Sequence, residues 1–69
     1  MTKYGYKIKN GSSVDIDWCF ETVDEAKRSI PRGWGGIIVK YDSDIVTDRD
    51  WEKGDIPYEA EIVDYFRRR

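Results

Sequence analysis

Apolar and polar residues alternate in two runs near the start of the chain. Tyr4, Tyr6 and Ile8 alternate with Gly5, Lys7 and Lys9, and Val14, Ile16, Trp18 and Phe20 alternate with Asp15, Asp17, Cys19 and Glu21. Successive side chains of an extended chain point to opposite faces, so a period of two predicts two half-buried strands. Asn10-Gly11 stands between them. A two-residue turn on that pair would set Tyr6 against Asp15 and Ile8 against Ser13, laying an apolar face beside an acidic one. A three-residue loop, Lys9-Asn10-Gly11 with Gly11 in the left-handed region, instead predicts Tyr6 against Val14 and Tyr4 against Ile16. It also sets Lys3 opposite Asp17 on the solvent side, as a weak surface pair.

The second run leads into a helix start. Thr22 stands three residues before Glu25, the spacing of a capping box, and Val23, Ala26 and Ile30 fall on one helical face before Pro31 ends the helix. So short a helix is not stable alone and must dock on the hairpin. Beyond the glycine-rich stretch Arg32-Gly33-Trp34-Gly35-Gly36, a third strand is predicted with Ile37, Val39 and Tyr41 toward the core. A turn at Asp42-Ser43-Asp44 then leads to a fourth strand at Ile45-Val46-Thr47. Asp48 to Gly54 has no period and reads as an acidic loop pinned by Trp51.

The last segment fits both periods: Tyr58, Ile62 and Phe66 recur at helical spacing, while Ile56, Tyr58, Ala60, Ile62 and Phe66 also fit alternation broken by Asp64. Its end chemistry favours a helix, with Asp55 as a cap, Pro57 in the first turn, acids early and three arginines last. The expected fold is α+β: one domain over residues 1–69, with an antiparallel sheet of about four strands in β-β-α-β-β-α order and the helices on one face.

Composition limits what this domain can be. A chain of 69 residues buries only about 60% of its unfolded surface, and three Trp, five Tyr and two Phe are an economical way to fill a small core. Cys19 has no intramolecular disulfide partner, and without His a zinc site is not expected. Neither a signal-peptide core nor an apolar run of membrane-spanning length occurs, so a soluble, cytoplasmic protein is expected.

Charge adds a functional hint. The net charge is −2, but residues 42–64 carry nine acids against Arg49 and Lys53, a local charge of −7. An acidic run broken by Trp51 and Tyr58 presents something like a nucleic-acid backbone to a basic protein groove, with the rings as anchors. The candidate partner-binding residues are therefore Asp42, Asp44, Asp48, Asp50, Trp51, Glu52 and Asp55, together with Trp34. Trp34 is either folded on the core or exposed as an anchor. The expected partner is a host protein with a basic surface. Alternatively, Lys3, Lys7, Lys9 and the Arg67-Arg68-Arg69 tail bind nucleic acid directly, although Asp15 and Asp17 are expected to share the face of the lysines and offset them. Self-association into a homodimer through a sheet edge or Trp34 is a third reading.

No motif points to a reaction. Gly33-Trp34-Gly35-Gly36 lies between helix and strand, the wrong order for a phosphate loop. Asp42-x-Asp44 and Asp48-x-Asp50 lack the remaining ligand positions of a calcium loop, and Cys19 has no evident base. A non-catalytic protein without cofactor or metal is expected. In size, and in the run Glu21-Thr22-Val23-Asp24-Glu25-Ala26-Lys27 followed by a glycine loop and a β-hairpin, the chain resembles the small accessory proteins of phages and mobile elements, among them anti-CRISPR proteins. That resemblance implies a cytosolic inhibitor that binds a host nucleic-acid-processing machine stoichiometrically. It carries over no residue's role.

Overall fold

The first two strands, β1 (Thr2–Asn10) and β2 (Ser13–Phe20), form the expected hairpin in a different register. The computed structural model describes every residue from Met1 to Arg69. The loop is two residues, Gly11-Ser12, with Asn10 opposite Ser13 and Gly11 at φ 61, the glycine-first signature of a type II′ turn. Lys9 then faces Val14, Ile8 faces Asp15, Lys7 faces Ile16 and Tyr6 faces Asp17. The three-residue loop and the Tyr6–Val14 pairing are thus corrected. Directly opposed residues share a face, so Tyr6 and Ile8 point to one side of the sheet while Val14 and Ile16 point to the other. The expected register assumed one buried face; this sheet buries both. Lys3 lies opposite Tyr41 and pairs with Glu21 rather than with Asp17.

A bulge completes the switch of faces. Between the Tyr6–Asp17 and Tyr4–Phe20 pairs, Trp18 and Cys19 together stand against Gly5. Cys19 takes φ 75, and its N–H donates to Tyr41 Oη at 3.1 Å. The extra residue returns Phe20 to the Tyr6 side, where the two rings stack 5.4 Å apart. Gly5 is required by close approach: a Cβ there would stand 2.5 Å from the Trp51 ring and 2.9 Å from the Asp17 carbonyl oxygen.

Helix α1 (Val23–Ser29) starts as the sequence predicts, with Thr22 Oγ1 accepting from the Glu25 N–H at 3.0 Å. The Glu25 carboxylate reaches back to the Glu21 N–H, one residue earlier than a capping box requires. Ala26 and Ile30 are buried against Tyr6, Ile8 and Ile38, with Phe20, Val23, Trp34 and Phe66 packed around them. Strand β3 (Gly35–Asp42) follows. Residues 45–47 are not a strand: Val46 is buried in an irregular turn, and the expected acidic loop contains a short helix, α2 (Asp48–Glu52).

The C-terminal segment is strand β4 (Glu61–Arg67), not a helix. Helical end chemistry loses because the edge of β3 needs backbone partners, and each supposed end signal serves elsewhere. The Asp55 carboxylate takes Lys7 and its own Ile56 N–H, and Arg68 Nη1 donates to the Arg28 and Ile30 carbonyls, capping α1. The element order is β-β-α-β-α-β, and the antiparallel sheet runs β2-β1-β3-β4. Adjacent residues of β3 belong to different cores, Ile38 with α1 and Val39 with Tyr41, Val46 and Trp51. The helices therefore cover opposite faces, correcting the one-face expectation, and the sheet is the middle layer.

Candidate functional site

Register defines the face that α2 shares. Reading across the strands from the hairpin end, its first row is Val14, Lys9, Gly35 and Arg67, and its second is Ile16, Lys7, Ile37 and Tyr65. Gly5 and Val39 follow, and there Trp51 closes the surface, stacked on Trp18 at 5.5 Å and edge-on to Tyr41 at 5.2 Å. Trp18 Nε1 donates to Asp48 Oδ1 at 2.8 Å, tying α2 to β2. Half of the face is thus covered. The other half stays open as a shallow groove of about 230 Å³ lined by Lys7, Lys9, Val14, Gly35 and Ile37.

This open half is basic. Lys9 and Arg67 have no carboxylate partner, and Lys7 has one, Asp55, at 2.9 Å. Asp15 and Asp17 oppose Ile8 and Tyr6, which puts them on the other face and corrects the expectation that they offset the lysines. Beyond the first row the chain adds Arg32 and Arg69, both exposed. Arg68 is held by its caps and by strand-like pairing of its backbone with Gly33 and Trp34. Tyr65, 74% exposed, stands on the second row and stacks on no other ring. The helical end chemistry of residues 56–68 points away from it, and no alternation marks it, since Ile62 and Val63 are both apolar; its place follows from the pairing of Tyr65 with Ile37.

The acidic candidates are distributed differently from a continuous patch. Asp42 and Asp44 hold the Met1 ammonium at 3.1 and 2.9 Å, Asp48 holds Trp18, and Asp50 takes the Thr47 N–H at 2.8 Å. Asp55, Glu61 and Asp64 pair with Lys7, Lys40 and Lys27. Of the nine carboxylates between residues 42 and 64, only Glu52 and Glu59 make no side-chain bond or ion pair, the other seven being engaged as described. Trp51 is 1% exposed, so its ring belongs to the fold and offers nothing to a partner, and Trp34 is half-buried against the α1 core. What the acidic side does expose is Tyr58, 99% accessible, on a hollow whose charged border is Asp50, Lys53, Asp55 and Glu59. The Lys7–Asp55 pair is the seam between the acidic and basic regions.

These contacts set a pH dependence. The Thr47 N–H holds the Asp50 carboxyl below its ordinary value of 3.8; Lys7 does so for Asp55 and Lys27 for Asp64. A depressed folded pKa contributes stability that is complete above 3.8 and lost as pH falls through the lowered values. Burial pushes the Tyr6 phenol up to about 12, and burial also raises Tyr41. That contribution is complete below pH 10, the ordinary value, and declines as pH rises above it. Thermal unfolding followed across pH is expected to show midpoints that fall as pH drops below 3.8 and as it rises above 10.

In class the chain is a small α+β domain built on a four-stranded antiparallel sheet between two short helices. Compared with models of known families, with curated proteins and with solved structures, it shows no match. No helix is long and apolar enough to cross a membrane, and no three Asp, Glu or Cys side chains converge as a metal-holding set.

Proposed function

We propose that this protein is a nucleic-acid-binding module that takes the phosphate backbone on the basic, open half of its sheet. The observation that carries the reading is the register: Lys7, Lys9 and Arg67 share that half-face, and Asp15 and Asp17 lie on the opposite one. Cations without carboxylate partners are what phosphate binding needs, because affinity comes from neutralising phosphates and releasing their counterions. In fluorescence anisotropy with a labelled oligonucleotide, binding is expected at low salt. Phosphate contacts by the two cations without carboxylate partners, Lys9 and Arg67, give a slope of log K against log salt of about −1.4 for a single strand. The double reversal Lys9→Glu/Arg67→Glu is expected to weaken binding by about tenfold or more and to leave thermal unfolding nearly unchanged, since both positions are exposed. Absence of binding at low salt, or binding indifferent to the double reversal, contradicts the reading.

A second reading rests on Tyr58. A fully accessible ring beside Asp50, Asp55 and Glu59 suits the basic groove of a host protein, and the resemblance to phage-type inhibitors of nucleic-acid-processing proteins belongs with it. It ranks below the first because the fold already engages seven of the nine carboxylates in that segment.

A further inference from the structure

The shape of the open half-sheet bears on which nucleic acid it takes. Resting on the nucleic-acid reading above, we propose that the site binds single strands in preference to duplex, stacking one base on the Tyr65 ring and laying a neighbouring base in the groove over Gly35 and Ile37.

Tyr65 and Ile37 are directly opposed on β4 and β3, so the ring and the groove floor are cross-strand neighbours on one face. The three stacked or edge-on ring pairs of the protein use Tyr6, Phe20, Trp18, Trp51 and Tyr41, and Tyr65 stacks on none of them. Gly35 sits between Lys9 and Arg67 in the row below. A Cβ at Gly35 would stand 2.8 Å from the Arg67 Cβ, so β3 and β4 approach closely there between two cations that have no carboxylate partner, and Val14, 57% exposed, lines the far side of the groove. The site thus offers an aromatic platform, an apolar groove floor and a cation on each side. Unstacked bases carry accessible π-faces and sequence-tolerant stacking energy. A duplex hides those faces in its own stack and is read by elements that enter a groove, and this surface projects none. Its positive rim selects a polyanion over a second copy of the chain, whose matching face is also positive.

The test compares a labelled single strand, a duplex of the same length and an abasic strand with the same phosphates, against the native protein and its Tyr65→Ala and Tyr65→Phe variants. Single-strand affinity is expected to exceed that for the duplex and the abasic strand, to fall roughly tenfold in Tyr65→Ala, and to persist within about twofold in Tyr65→Phe. Circular dichroism melting of both variants is expected to match the native protein, because the ring is exposed. Equal binding of all three ligands, unmoved by Tyr65→Ala, overturns this inference and leaves the basic-face reading standing. Binding to none of them at low salt overturns both.

Discussion

Trp51→Ala is expected to cost about 3–5 kcal/mol, the range for removing a buried Trp or Phe. That is a large share of the total, since a domain of 69 residues has roughly 3–10 kcal/mol to lose at typical stability per residue. The ring does three things at once: it stacks on Trp18, meets Tyr41 edge-on and lies over Gly5, where no side chain intervenes. It also anchors α2, whose five residues do not hold as a helix without it. Trp51→Phe is expected to cost much less, because the indole Nε1 has no hydrogen-bond partner in the core and nothing polar is lost with it. Urea unfolding checks both: the alanine variant should be largely unfolded or shifted far to low urea. A change below about 1 kcal/mol would show that the second core is not structural.

The second large effect separates two neighbours in β3. Ile38 is fully buried against Tyr6, Ile8 and α1, so Ile38→Ala is expected to cost about 2–5 kcal/mol. Ile37 lines the open groove and is half-buried, so Ile37→Ala is expected to cost about 1 kcal/mol. Alternation alone predicts the reverse, because it puts Ile37, Val39 and Tyr41 inward and Ile38 outward. The measured order of the two midpoints therefore decides whether the Ile38 face of β3 is buried under α1.

Local signals were legible: the strands about Tyr4–Ile8 and Val14–Phe20, the Thr22 cap and Pro31 stop of α1, and the strand from Ile37 to Tyr41 all lie where the patterns put them. Long-range pairing was not. The hairpin register depends on a second apolar layer from residues 46–60, which a pattern confined to residues 4–20 does not contain. The bulge at Trp18-Cys19 leaves no mark in an unbroken alternation, and Cys19 adopts φ 75 without the glycine that signals such a position. Residues 61–67 carry both periods, and the free edge of β3 chooses between them. The candidate site depends on the same long-range pairing. Lys7 and Lys9 were visible as a basic side, but their release from Asp15 and Asp17 follows from register, and Tyr65 and Arg67 join them only because β4 is a strand.

We propose the open half-sheet, not the acidic segment, as the binding surface. Amide chemical shifts followed while a short single-stranded oligonucleotide is added to the isotope-labelled protein test it most directly. The expected shifts concentrate at Lys7, Lys9, Val14, Gly35, Ile37, Tyr65 and Arg67, with the surroundings of Tyr58 unmoved. Shifts confined to residues 50–59, or none at low salt, would contradict it.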